Sequence, residues 1–365
     1  MASSIALLAA CALCAGGVRF DAQSAPSPAP GTPTAAQATP AAATPPAAAT
    51  PPQWDAIASG STEVADPSGQ GGGNAGQGGA TSSKGGANSS KGDANSSKGD
   101  ANSSTGGATY RYRLVLPPAR AIADPGARVP LVVFLHGSGE RGDDNTAQLK
   151  HFAGWCAGDE LQSKHPCYVL AMQCPAGETW AALDLKSYRE NGTLPTRSPE
   201  PTRAMRALMQ AIDEVVAARA VDPTRIYLTG LSMGGFGAFD LAARRPAQFA
   251  AVVPICGGGD PSTAATVARI PFYIVHGTDD AVVPVGLSRA MNEAIAAASS
   301  AAWREDVAKA RGTGDAPRPM PKRAPNPMYR EYDKVGHDSW TPAYRFGDEG
   351  VLDWMFAQRK APVSG

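Results

Sequence analysis

A serine that is to act as a nucleophile needs a base beside it and a group that orients the base, and the sequence holds candidates for each role. Ser232 lies in Gly230-Leu231-Ser232-Met233-Gly234, a G-x-S-x-G pentapeptide. Such a turn is strained at the serine. Flanking glycines let a strand and a helix meet there without Cβ clashes, lifting Oγ above the sheet beside the positive helix N-terminus. The same five residues also suit a plain strand-to-helix turn, so the partners decide. Of the five histidines, His136 and His276 each precede a glycine at the end of an apolar run, where a buried imidazole commonly braces a loop. His151 and His165 come before the serine, in the wrong half for a Ser…Asp…His order. That leaves His337, in Gly336-His337-Asp338-Ser339-Trp340. The orienting carboxylate belongs between serine and histidine, at a strand's carboxyl end, and Asp279 and Asp280 both stand there. Together these groups would perform acyl transfer: the hydroxyl attacks a carbonyl carbon while the imidazole takes its proton.

The elements that would position these groups alternate. Ile226 to Thr229 reads as a buried strand, and Gly234 to Arg245 as the helix that follows, stopped by Pro246. Pro130 to Leu135, Tyr168 to Met172, Ala251 to Cys256 and Pro271 to Val275 are continuous apolar runs typical of strands covered on both faces. Tyr110 to Leu116 alternates like an edge strand, and Tyr329 to Val335 supplies the last one. Pro201 to Arg219 places Met205, Leu208, Ile212, Val215 and Val216 on one helical face, with Ser198 and Pro199 as start signals. Further helices are expected over Gly286 to Ser300 and Val351 to Gln358, with a proline-rich, basic insertion from Trp303 to Pro327 between them. The expected fold is α/β, a mostly parallel central sheet with helices on both faces.

The chain has 365 residues, 43% of them hydrophobic, and no formal net charge. Balanced charge argues against nucleic acid as a main partner, because phosphate binding needs a basic excess. From Ser24 to Thr109 the only large apolar side chains are Trp54, Ile57 and Val64, too few to offset the entropy of ordering that length. An unstructured linker over 24–109 is expected. It comprises an alanine-proline tract and then the seven-residue repeat SSKGGAN, SSKGDAN, SSKGDAN, SSTGGAT, whose glycines exclude a coiled coil. Ahead of it, residues 1–23 resemble an export signal. Ile5 to Ala10 is a short apolar run, and Leu8-Ala9-Ala10-Cys11 looks like a lipobox, which would tether the chain to a bacterial envelope through Cys11. The expected location is therefore secreted or periplasmic. The remaining segment, 110–365, is ample for a single α/β core.

Four runs occur in order: Leu135-His136-Gly137-Ser138-Gly139-Glu140-Arg141-Gly142, the Gly230 to Gly235 elbow, His276-Gly277-Thr278-Asp279-Asp280-Ala281-Val282-Val283-Pro284, and Gly336 to Trp340. Together they resemble the α/β-hydrolase superfamily, and within it the phospholipase/carboxylesterase and dienelactone-hydrolase-like branch that includes feruloyl esterases and predicted peptidases. The resemblance implies Ser232 as nucleophile, His337 as base and Asp280 as the acid, with Asp279 spare. It further implies backbone N–H groups of Met233 and Ser138 as an oxyanion hole, with neither cofactor nor metal. Its motifs are specific for fold and triad and poorly specific for substrate.

Trp155, Trp180 and Trp340 fall in loops near these motifs, where they would wall a pocket for a ring-bearing substrate or simply join the core. Cys256 reads as a small core residue, while Cys156 with Cys167 or Cys174 either forms a disulfide in an oxidising compartment or remains a buried thiol. The expected activity is a serine carboxylic ester hydrolase acting on short acyl or aromatic, carbohydrate-linked esters. Its rivals are a serine peptidase of the same fold and an inactive hydrolase-fold binding module. Oligomeric state is not encoded in any motif.

Overall fold

The computed structural model describes residues 57–64, 108–311 and 326–360. The signal-like segment with Cys11, the alanine-proline tract and the seven-residue repeats lie outside the described residues. So do 312–325 of the expected insertion. Among the described residues no helix is long and apolar enough to cross a membrane.

The strands are β1 (Ile57–Val64), β2 (Ala108–Val115), β3 (Val129–Leu135), β4 (Tyr168–Met172), β5 (Val221–Leu231), β6 (Ala251–Ile255), β7 (Tyr273–Gly277) and β8 (Met328–Tyr332). They form one sheet in the order β1-β2-β4-β3-β5-β6-β7-β8. From β4 to β8 every pairing is parallel, while β2 runs antiparallel to β4 and β1 antiparallel to β2. The helices are α1 (Asp159–Lys164), α2 (Lys186–Asn191), α3 (Arg203–Ala218), α4 (Met233–Arg244), α5 (Ala264–Val267), α6 (Gly286–Arg311), α7 (Trp340–Ala343) and α8 (Leu352–Ala357).

Strand periodicity divides the core. Leu131, Val133 and Leu135 of β3 pack with Met205 and Leu208 of α3, Phe239 of α4 and Met291 of α6. Val132 and Phe134 face the other way, toward Phe152, Leu161 of α1 and Leu352 and Met355 of α8. All seven residues of β3 are buried, as a parallel strand sandwiched between two helical layers requires. The α3 helix begins at Thr202 rather than at Ser198: its hydroxyl accepts from Met205 N at 3.0 Å and donates to Trp180 O at 3.0 Å.

Two expectations change. Ile57–Val64, within the segment expected to be an unstructured linker, is an edge strand in eight-residue register with β2, from Ile57 opposite Val115 to Val64 opposite Ala108. Backbone pairing with β2 orders it. Gly60 is needed here, because a Cβ would stand 2.2 Å from the Tyr112 ring, and the Thr62 hydroxyl donates to Glu214 Oε1 of α3 at 3.1 Å. The second change is in α6, which runs on through Trp303 to Arg311, so what was read as the start of an insertion is helix. Ala302 and Val307 are buried in that extension. The serines at its middle do not break it, since Ser300 Oγ donates back to Ala296 O and Ser299 Oγ to Ala268 O. Beyond, Asn326 donates to the carbonyls of Ala268 and Ile270 and accepts from Phe272 N, which sets β8 beside β7.

A chain beginning at Thr109 loses β1 and uncovers the β2 edge. Its melting temperature should fall relative to the full chain, at about 2–4 °C for each kcal/mol lost in a domain of this size. Thermal unfolding of both forms measures this, and equal midpoints would mean that β1 adds nothing.

Candidate active site

The site forms at the carboxyl ends of β3, β5, β7 and β8. Ser232 sits between β5 and α4 at φ 54° and ψ −118°, a conformation that a non-glycine residue adopts only when its surroundings impose it. Two glycines make the crossing possible. A Cβ on Gly234 would lie 2.0 Å from the Leu135 carbonyl oxygen, and one on Gly230 would lie 2.4 Å from the carbonyl oxygen of Gly234. The Ser232 N–H donates to Ile255 O at 3.0 Å and to Cys256 Sγ at 3.2 Å, tying the turn to the end of β6.

His337, in the loop after β8, places Nε2 2.9 Å from Ser232 Oγ and Nδ1 2.7 Å from Asp280 Oδ2. Nδ1 faces a carboxylate and therefore holds the proton, which leaves Nε2 bare to accept from the serine hydroxyl. Asp280 has a side chain with no exposure, and its other oxygen accepts from the N–H groups of Val282 and Val283 at 2.8 and 2.9 Å. Burial pushes this carboxyl up, but hydrogen bonds from His337, Val283 and Val282 outweigh it and hold the group below the usual range. Asp279 is exposed and accepts from the Thr278 hydroxyl instead. Of the two aspartates, only Asp280 meets His337.

The glycine-rich segment after β3 folds over the elbow: a Cβ on Gly137 would lie 3.7 Å from Ser232 Cβ. Ser138 opens a single 3-10 turn and Met233 is the first residue of α4, positions whose N–H groups have no carbonyl behind them to bond. The segment is braced from beneath. His136, 1% exposed, accepts from Cys174 N at Nε2 (2.9 Å), so its proton is on Nδ1, 2.6 Å from Gly137 O. Burial pushes this imidazole toward the neutral form.

The three tryptophans separate. Trp180 is fully buried in the core, its Nε1 donating to His136 O at 3.1 Å, so it supports the segment after β3 and cannot wall an open pocket. It belongs inside because its one polar atom finds a backbone acceptor there. Trp155 packs with Phe152 and Phe346, and no contact among the described residues joins it to Ser232 or His337. Trp340 alone adjoins the site, meeting His337 edge-on with ring centroids 5.3 Å apart.

Residues to which the sequence pattern gave no chemical role also converge here. Glu140 is buried, and its carboxylate lies 3.4 Å from His151 Nε2, whose ring in turn meets the other edge of Trp340. The hydrogen bond from His151 holds Glu140 below the usual carboxylate range. Glu140 stands in the motif run and was legible as a member of it, whereas nothing local marks His151. Cys156, Cys167, Cys174 and Cys256 are free and buried. Cys174 lies on the opposite sheet face from Cys156, which excludes that pairing. Among the described residues, Cys256, Asp280 and His337 present possible ligand atoms within 4.8 Å of one another. Burial raises the Cys256 thiol well above its ordinary range, however, so it stays protonated, while Asp280 and His337 are already bonded to each other.

Comparison with known proteins agrees with this geometry. The phospholipase/carboxylesterase family matches residues 119–316, more than half of the chain. A poly(3-hydroxyalkanoate) depolymerase C from Paucimonas lemoignei is 33% identical over 132 residues, covering 36% of this chain and 28% of that protein. A putative esterase, NocK, from Nocardia uniformis subsp. tsuyamanensis is 29% identical over 191 residues, covering 50% and 49%. The chain thus spans about half or less of the length of these relatives. The solved structure of a thermostable esterase superposes with a TM-score of 0.55 at 34% identity, over 70% of this chain and 60% of that one. With sheet order, elbow and sequence match in agreement, the chain belongs to the phospholipase/carboxylesterase family and has the α/β-hydrolase fold.

Proposed function

We propose that the protein is a carboxylic ester hydrolase working through an acyl-enzyme, with Ser232 as nucleophile, His337 as base and Asp280 as the group that orients it. The observation that supports this best is the unbroken hydrogen-bond path from Asp280 Oδ2 through His337 to Ser232 Oγ, at 2.7 and 2.9 Å. In the first half-reaction Oγ bonds to the carbonyl carbon as its proton passes to His337 Nε2. The carbonyl oxygen turns toward the N–H groups of Met233 and Ser138, and Asp280 remains ionised against the new imidazolium. Collapse breaks the bond to the alcohol, which leaves with the proton from His337. Water then repeats the sequence on the acyl-serine.

Replacing Ser232 by Ala should abolish labelling by a fluorophosphonate and remove most turnover of an aryl acetate. A background on the order of 10³ to 10⁴ over water is expected from the remaining oxyanion donors. Near-normal turnover by Ser232→Ala would refute the assignment, whereas neither labelling nor turnover in the unsubstituted chain would favour the binding-module reading. Asp280→Asn should lower kcat by several orders of magnitude, since an amide can hold the wrong imidazole tautomer, while Asp279→Asn changes it little. The reverse pattern in steady-state kinetics would move the role to Asp279.

The substrate class proposed is a short acyl or aromatic ester, including one carried on a carbohydrate. Trp340 beside His337 offers an apolar edge to a ring, and the relatives are named an esterase and a depolymerase. An alkoxide or phenoxide leaves with modest help, whereas an amine must be protonated by a well-placed base. We expect kcat/KM for acetyl or hydroxycinnamoyl esters to exceed that for matched amides by orders of magnitude. Comparable values on a peptide library would make the peptidase reading the better one.

A further inference from the structure

Asp280 is held by more than His337. Its Oδ2 also lies 3.1 Å from Nε2 of His276, the residue of β7 read from sequence as a loop brace. Both imidazoles therefore converge on one carboxylate oxygen, while the other oxygen takes the N–H groups of Val282 and Val283. His276 has no exposure, and every polar atom it meets is identified. Nε2 faces Asp280 and the Val283 carbonyl at 2.9 Å, two acceptors, so Nε2 must carry a proton. Nδ1 lies 2.7 Å from the Ser288 hydroxyl on α6, which also reaches Gly257 O at 2.8 Å.

Ser288 has one proton to place. Given to Nδ1, it leaves His276 neutral with its N–H on Asp280; given to Gly257, it requires Nδ1 to be protonated as well and makes His276 a cation. Burial, the largest influence on this imidazole, drives it to the neutral form, and His337 pushes the same way. The other ionisable groups facing it are Asp280 itself and Glu331 on β8, its register partner, whose carboxylate is engaged by Arg289. In either state Nε2–H is a fixed donor to Asp280.

We propose that His276 and Ser288 are a positioning pair, a buried donor and the hydroxyl that steadies its ring, which hold the Asp280 carboxylate in line for His337. The proposal rests on the triad reading above. Four donors then fix the carboxylate, two on each oxygen. Removing His276 leaves Asp280 with excess charge on the His337 side, so the base should retain its proton to higher pH.

The test uses the full chain with His276→Leu, His276→Gln, Ser288→Ala and Asp280→Asn, each followed by melting temperature, kcat, KM and the pH profile of kcat/KM on an aryl acetate. His276→Leu should lower kcat about tenfold or more with KM within about twofold, and move the acid limb to higher pH. His276→Gln should recover most of kcat and the original limb, because its amide N–H can meet Asp280 while its oxygen faces Ser288. Ser288→Ala should give a smaller loss in the same direction. A folded His276→Leu with unchanged kcat and limb overturns the proposal, as does a folded His276→Gln as slow as the Leu variant. If His276→Leu does not fold, Ser288→Ala and His276→Gln decide, and an unchanged Ser288→Ala overturns the role of the hydroxyl. High activity in Asp280→Asn would instead refute the triad reading itself.

Discussion

The site depends on one close approach, the passage of the α4 N-terminus against the end of β3. At Gly234 there is room for a hydrogen and nothing larger, since a methyl group would overlap the Leu135 carbonyl. That contact brings the segment after β3 over Ser232. It also holds Ser232 at a positive φ that it would not adopt alone, and the turn is then pinned by bonds to Ile255 and Cys256. Sheet order follows the same logic. Parallel strands all present their carboxyl ends to one edge, so Ser232, Asp280 and His337, far apart in sequence, come from neighbouring strand ends.

Buried polarity at Asp280 and beneath the elbow is matched rather than avoided. Asp280 is taken wholly out of water, yet each of its oxygens has two donors, and the Thr229 hydroxyl beneath the elbow donates to Val253 O at 2.7 Å. Unpaired, such groups would each cost roughly 1–3 kcal/mol, and a lone carboxylate more. Satisfied, they leave the serine and its base few alternative geometries.

The central strands were legible because a strand covered on both faces must be apolar throughout, as the runs Pro130 to Leu135 and Tyr168 to Met172 are. The elbow and the two aspartates were legible as motifs, since their spacing is dictated by local turns. β1 was not, because Ile57–Val64 pairs with the backbone of β2, and two apolar residues among Ala, Ser, Gly, Thr and Glu give no strand pattern. Trp180 and Trp155 are ambiguous in sequence for a related reason: an indole suits a pocket wall and a core equally, and only the acceptor that Trp180 finds in His136 O separates the two. His151 was assigned no part in chemistry because nothing local marks Glu140 as its partner, and His276 because a histidine before a glycine at a strand end reads equally as a loop brace, although Asp280 stands only four residues on.

Cys256 gives the site an unusual pharmacology. Its thiol accepts from the backbone of Ser232 and stands at a positive φ of 40°, so anything that enlarges or oxidises that sulfur must displace the serine. A mercurial or maleimide that reached it during a local opening would silence the protein as completely as a reagent aimed at the hydroxyl. Sensitivity to thiol reagents would then mimic the signature of a cysteine hydrolase in a protein whose proposed nucleophile is oxygen. Inhibitor profiles of this chain therefore separate the two chemistries only when the sulfur has first been replaced.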